Sequence, residues 1–536
     1  MTKRTYWRIQ VAAVLLLAAV FASPHVFNYF NQKGQGMVLM FSTDDGQYEA
    51  RVRAALLGRV HEVGNGMTGG VQPAKGASPA LQELVVGTLF RFTHLKAPQV
   101  MVILTVFITP LIVFLLVGLL RSLAFSPLVS LLGAFAYLFV FLSALQKPVN
   151  MSLSLPITIG GLLLMQKLRT KPTLLWVVLT GVMLGLIPWV YFWSWTFVWC
   201  AYAALVVLHL LFVAPSARKR AETAGYLCAA AVAVFTFIPF FVGLLIEHGN
   251  PAFIETAFRS TIIRSHWVES TPRFIALTFI LLMSAFLVRR NRADIDRWLF
   301  PFAVFIGIYC AMYQNIIHGI IFSFSSHFYP FVCLGCLLML LYAWSFARGT
   351  FLQWCVILTS SVFLVLGVWD YRAEWSFIRG DYYLRNIQHM QLALHILDSD
   401  HTRDTVLTDR VSANMVTTWT DDDALFTPYV RHILVSDREY AQRYCLSELF
   451  NPKGPDIVWL AHEVVERPSD AEYAARETQF HSYCDPIRKQ PMAYLKQYDV
   501  TTLLWNERLR PDWRIRTSLF TKEVQGDGWS LWTRKN

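Results

Sequence analysis

The feature that most limits this chain is a succession of apolar runs, each near the length of a membrane span. A helix needs about 20 mostly apolar residues to cross a bilayer. Runs of this kind lie near 9–27, 99–120, 122–145, 149–165, 173–190, 195–214, 224–246, 273–288, 299–317, 328–346 and 351–369. Backbone inside hydrocarbon has to satisfy its own hydrogen bonds, so runs of this length imply helices. Charge divides the chain in the same way. Only 15% of the 536 residues are charged, against about 25% in an ordinary soluble domain, and the shortfall lies in residues 1–370. The expected architecture is an α-helical polytopic membrane bundle of about 11 spans, residues 1–370 with a first loop at 28–98, followed by a soluble α/β domain at 371–536.

The basic residues give the orientation. The net charge of +11 comes largely from short clusters between apolar runs, such as Arg218-Lys219-Arg220 and Arg289-Arg290-Asn291-Arg292. Lysine and arginine gather in cytoplasmic loops, so this distribution excludes nucleic acid as the reason for the charge. One side collects Lys3, Arg4, Arg8, Arg121, Lys167, Arg169, Lys171, the two clusters above, Arg297 and Arg348. The short loops of the other side hold Lys147, Arg259, Arg264 and Arg273. The N-terminus is therefore expected in the cytoplasm, with the 28–98 loop and the tail outside. Apolar character runs on through Phe27, so the first run is read as a retained span rather than a cleaved signal peptide.

Six of the eight cysteines lie in apolar runs, where the thiol packs as a small hydrophobe. Cys445 and Cys484 fall in the soluble part and are candidates for a disulfide if that part faces an oxidising compartment. The tail reads as short strands at 405–407, 501–505, 517–524 and 528–533, with helices near 371–398, 437–449 and 468–480.

The first loop carries the densest chemistry. It is about 70 residues long, where most connections have only a handful, and loops of that length are often functional. After a short apolar run at 37–41 it reads Phe41-Ser42-Thr43-Asp44-Asp45-Gly46-Gln47-Tyr48-Glu49-Ala50-Arg51-Val52-Arg53. Either aspartate is a good N-cap for a helix over 46–58, and one can cap while the other points elsewhere. A glycine-rich stretch then leads from Lys75 into Ser78-Pro79-Ala80-Leu81-Gln82-Glu83-Leu84. Leu81, Leu84, Val85, Leu89 and Phe92 mark one face of an amphipathic helix at 79–95. Such a face either lies in the membrane interface or packs on the bundle.

Taken together, this pattern resembles the polytopic glycosyltransferases of the GT-C superfamily, and in particular the aminoarabinose and mannosyl transferases. The resemblance lies in the acidic pair after the first span, the Tyr- and Arg-bearing helix behind it, the Lys75 to Leu81 segment and the soluble tail. It implies transfer of a sugar from a polyprenyl-phosphate carrier to a glycan, lipid or protein acceptor, with inversion, at the outer face of a bilayer such as the bacterial inner membrane. Asp44 or Asp45 is then the catalytic base. Tyr48, Arg51, Lys75 and Glu83 become candidates for contacting donor or phosphate. A divalent cation, Mg or Mn, held by Asp44 and Asp45 is an optional cofactor.

Other outward-facing candidates are Lys147 and Asn150 after the third run, and His266, His318 and His327 in later loops. Polar groups at such depth are costly unless paired or facing a cavity. The aromatic run 189–195 is an interfacial belt or a sugar-stacking surface. Asp421-Asp422-Asp423 reads as a solvated turn, lacking the spacing of a calcium loop. The rival function is a lipid or glycan transporter or flippase, for which the chain shows no clear internal repeat.

Overall fold

The computed structural model describes residues 45–59, 81–140, 153–260, 262–268, 270–290, 295–322, 325–346, 388–399, 403–427, 430, 433–462 and 470–536, with isolated positions in 8–30 and at 361 and 365. The chain divides into two compact units. A helical unit comprises Met1–Val26, Ile103–Gly243 and Arg264–Ile378. A sheet unit comprises Phe27–Val102, Leu244–Ile263 and Arg379–Asn536. The expected boundary near residue 370 placed the first loop with the spans. In the structure the described helices of that loop, Asp45–Leu56 and Leu81–Phe90, fall in the same compact unit as the C-terminal segment, with which they are ion-paired.

Four helices are long and apolar enough to cross a membrane among the described residues: Ala97–Ser122, Phe192–Phe212, Ala217–Ile246 and Asp296–His318. Shorter apolar helices at Pro127–Leu138, Leu174–Trp189, Thr271–Phe286 and Tyr329–Ala343 occupy other expected spans. Leu153–Thr170 fills the short run at 149–165, and its last turn carries Lys167 and Arg169. The count of 11 is not established, since 351–369 lies almost wholly outside the described residues and 9–27 is described only in part. Side chains such as Phe107, Phe114, Leu174 and Phe235 are exposed, as lipid-facing positions should be. Phe192–Phe212 and Ile295–Tyr313 cross closely at Gly307, where a Cβ would stand 2.5 Å from the Ala201 backbone. Small residues permit such approach where hydrophobicity alone cannot drive helices together.

The sheet unit is α/β. Five strands, β1 (Thr405–Leu407), β2 (Asp423–Ala424), β3 (Val500–Asn506), β4 (Phe520–Gly526) and β5 (Trp529–Arg534), lie in the order β2-β1-β3-β5-β4. β1 is parallel to β2 and β3, and β5 is antiparallel to β3 and β4. Neighbouring residues alternate between two faces. Val406, Leu504 and Leu531 pack with Leu394, Met415 and Val416 of the helices Gln391–Ser399 and Arg410–Trp419. Leu407, Leu503 and Trp532 pack with Tyr440, Phe480 and Leu495 on the other face. The sheet is thus covered on both sides, as parallel strands require. Cys445 and Cys484 form a disulfide, with Cα atoms 5.6 Å apart, tying Asp437–Ser447 to Asp470–Lys489.

Candidate active site

The first loop supplies a buried, charged helix, Asp45–Leu56. Tyr48, Glu49, Arg51, Val52 and Arg53 are all nearly excluded from solvent. Burying charge is affordable only with partners, and two ion-pair systems provide them. Arg51 reaches Glu83 of the helix Leu81–Phe90 at 2.5 Å. Behind that pair, Gly87 lets the two helices meet, since a Cβ there would stand 2.6 Å from the Ala55 carbonyl oxygen.

The second system ties the loop to the C-terminal segment within the same unit. Arg53 pairs with Asp421 and, at 3.4 Å, with Asp398, and donates to the Thr420 carbonyl at 3.3 Å. Lys96 bonds Asp398 at 2.6 Å and the Trp419 carbonyl at 3.3 Å. Arg59 donates to the Asp421 carbonyl at 3.2 Å. Burial pulls the Arg53 and Lys96 proton affinities below their ordinary values, and Asp398 works in the opposite direction on both.

Arg53, Arg59, Arg403, Thr420 and Asp421 to Asp423 line a small cleft of about 20 Å³. The acidic triplet is not the solvated turn expected from sequence. Asp422 and Asp423 are buried, Asp423 meets Arg403 at 2.7 Å, and Asp422 accepts from the Asp404 amide at 3.0 Å. Its cations come from the preceding strand entry and from the first loop, at separations that leave no local pattern.

Arg259 lies on the helix Pro251–Ser260. It is fully buried, pairs with Asp437 at 2.5 Å, and stacks over Tyr440 with 5.2 Å to the ring centroid. Glu255 accepts from the Asp437 amide at 2.6 Å.

The other expected site residues fall as follows. Asp45 begins the first-loop helix. Its carboxylate, together with Asp44, Lys75, Lys147 and Asn150, lies outside the described residues. Arg51 and Glu83 face each other, so a phosphate at Arg51 would add a second anion to that cation. In the helical unit, His266 is exposed, with Nδ1 3.1 Å from the Ile316 carbonyl oxygen, and it lies against Gly319. His318 Nδ1 accepts from the Ile320 amide at 3.1 Å. His327 bonds the Tyr191 hydroxyl, and its ring centroid stands 4.4 Å from that of Trp193. The structure therefore joins His327 to the aromatic run and His266 to the 316–319 turn. Asp398, which anchors both Arg53 and Lys96, carries no sequence signal of its own. Among the described residues, no group of three or more His, Cys, Asp or Glu is placed to hold a metal ion.

No family model and no curated protein matches the chain. Among solved structures it is similar to the Archaeoglobus fulgidus oligosaccharyltransferase in complex with Zn and sulfate. The TM-score is 0.49 at 10% identity, over 93% of this chain and 68% of that one. The apo form of the same enzyme gives a TM-score of 0.49 at 11% identity, over 94% and 70%. The chain is also similar to ArnT from Cupriavidus metallidurans bound to undecaprenyl phosphate. There the TM-score is 0.47 at 12% identity, over 99% of this chain and 98% of that one.

Proposed function

We propose that this chain is a membrane glycosyltransferase of the GT-C kind, moving a sugar from a polyprenyl-phosphate carrier to an extracytoplasmic acceptor. The observation that supports the reading is the buried, ion-paired helix that follows the acidic pair in sequence. The pair is followed in sequence by a helix, Asp45–Leu56, whose next turns are buried and held by Arg51–Glu83 and by Arg53 with Asp398 and Asp421. A carboxylate carried next to a helix held in this way would meet the need of proton transfer for a positioned base.

In this reading Asp44 or Asp45 takes the proton of the acceptor nucleophile as that atom bonds to the anomeric carbon. The bond from that carbon to the phosphate oxygen breaks, and its electron pair leaves with the lipid phosphate. Attack opposite the leaving group inverts the centre. A carboxylate near the sugar also stabilises its oxocarbenium-like transition state. The departing phosphate calls for cations, and Lys75 and Lys147 are proposed for that role, since Arg51 already faces Glu83. Tyr48, Asn150 and the three loop histidines are proposed as donor or acceptor contacts. No step is routed through a metal ion.

The test is purified protein in proteoliposomes with a polyprenyl-phosphate sugar labelled in the sugar. The expected result is protein-dependent release of free polyprenyl phosphate with label passing to an acceptor. Donor that stays intact across a panel of sugars and acceptors contradicts the proposal. Movement of intact donor between leaflets would favour a flippase instead.

A further inference from the structure

The sheet unit carries a second polar constellation at the carboxyl ends of its parallel strands. β1 runs out into Thr408 and Asp409, and β3 ends at Asn506. Beyond β1 the chain turns to the face packed by Met415 and Val416. Beyond β3 it turns to the other face, where Trp513 and Leu519 pack. Parallel strands whose chains part in this way open a crevice between them, and in open α/β sheets ligands bind there. One chain of hydrogen bonds crosses it. His389 Nε2 is 3.0 Å from Asn506 Oδ1, and Asn506 Nδ2 donates to Ser412 Oγ at 3.2 Å. The Leu509 amide donates to the same Asn506 oxygen at 3.2 Å, which fixes that atom as an acceptor. His389 Nε2 therefore donates, and Nδ1 is left as a lone-pair acceptor.

Three side-chain atoms around this chain are closed to solvent with no hydrogen-bond partner among the described residues: Asp409 Oδ2, Thr408 Oγ1 and His389 Nδ1. Asp409 and Thr408 are 5% and 2% exposed. Asp409 uses Oδ1 to cap the Val411 and Ser412 amides, so Oδ2 is a separate acceptor. Buried polar atoms are normally paired, and two acceptors beside a hydroxyl call for a ligand that brings donors. The surrounding charges argue against an ion. Arg508 acts on His389 and Arg510 on Asp409, which opposes an ammonium group. Each arginine is already paired, with Asp527 at 2.7 Å and with Glu448 at 2.9 Å, so neither is offered to an anion. A neutral ligand with several hydroxyls suits all three atoms. The Arg508–Asp527 pair is exposed, and such surface pairs are held weakly, so the rim beside His389 can part to admit it.

We infer that the sheet unit binds a saccharide at the carboxyl ends of β1 and β3, with its hydroxyls donating to Asp409 Oδ2 and His389 Nδ1 and meeting Thr408 Oγ1. This is a binding site only, and no bond is made or broken in it. It uses no first-loop residue, so it does not rest on the proposed transfer reaction.

The experiment is a saturation-transfer-difference NMR titration of the full chain in phospholipid nanodiscs, which bring no sugar headgroup of their own. Glucose, mannose, galactose and arabinose are the separate probes. The expected result is protein-dependent signal from at least one of them. Asp409→Asn keeps the capping oxygen but turns Oδ2 into an amide nitrogen that cannot accept. It should weaken the Kd of that sugar by roughly tenfold or more, as the loss of a charge-assisted hydrogen bond implies. If Asp409→Asn lowers the melting temperature, Thr408→Val, which trades the hydroxyl for a methyl group, carries the same test. Absence of binding by every probe overturns the inference and leaves the three atoms to internal water. A Kd unchanged in the variant overturns it as well. Because no turnover is measured, either outcome leaves the proposed activity untouched.

Discussion

The guanidinium of Arg51 and the carboxylate of Glu83 meet at 2.5 Å with almost no water reaching either. Removing one partner strands the other charge in a dry site, a loss of roughly 3–5 kcal/mol. Glu83→Gln should therefore lower the unfolding free energy by about that much in detergent-solubilised protein. The double variant Arg51→Met/Glu83→Leu, which removes both charges, should recover most of it. A double variant as unstable as the single one would show that the pair holds the helices by more than charge.

Gly87 makes a sharper test of the same contact. A Cβ at this position stands 2.6 Å from the Ala55 carbonyl oxygen, and backbone cannot rotate out of the way. Gly87→Ala should push the two loop helices apart and cost about 1–3 kcal/mol, the range of an overpacked core. Thermal unfolding followed by intrinsic fluorescence would register the loss.

Much of this architecture is legible from residues alone, and the reasons are local. Apolar runs become helices at Ala97–Ser122, Phe192–Phe212 and Ala217–Ile246 because hydropathy over one span needs no information from elsewhere. β1 falls at Thr405–Leu407, as the sequence suggests, because a short β-branched run between polar segments already specifies a strand. What is not legible is pairing at a distance. Arg53 finds Asp421 and Asp398 across more than 340 positions, and no periodicity links them. For the same reason the triplet 421–423 reads as a turn while its buried partners stay hidden, and the first loop reads as an appendage of the spans. The helix at 81–90 leaves its own choice open: the sequence shows an apolar face, and only the placement of Glu83 on Arg51 shows which side is inside.

Asp409 caps the helix Arg410–Trp419, accepting from the Val411 and Ser412 amides at 2.9 and 3.0 Å. Burial raises its proton affinity, and the hydrogen bonds from Ser412 and Val411 oppose that rise. The folded protein therefore holds this proton more tightly than the unfolded chain does. Its stabilising share is present at acid pH and is lost as pH rises from the ordinary carboxylate range through the folded value. Asp409→Asn keeps a capping oxygen and abolishes the titration. Its melting temperature relative to wild type should climb as pH rises above the ordinary carboxylate value of about 4. Asp409→Ala should cost about 1 kcal/mol through the lost cap.

The Cys445–Cys484 bridge closes a loop of 39 residues. Chain entropy assigns such a crosslink about 4 kcal/mol. The variant Cys445→Ser/Cys484→Ser, or thorough reduction, should destabilise the sheet unit by a loss of that order in chemical denaturation. A free-thiol count on unreduced, denatured protein checks the pairing directly, since only the remaining six cysteines should react.

The central claim is that a first-loop carboxylate drives sugar transfer, and one comparison addresses it. Transfer rate from a polyprenyl-phosphate sugar is measured for wild type and for Asp44→Asn/Asp45→Asn, with both proteins matched for membrane yield and melting temperature. Loss of general base catalysis is worth about 10²- to 10⁴-fold, so the double variant should fall by at least that range with its fold intact. Transfer at the wild-type rate from the double variant would contradict the account.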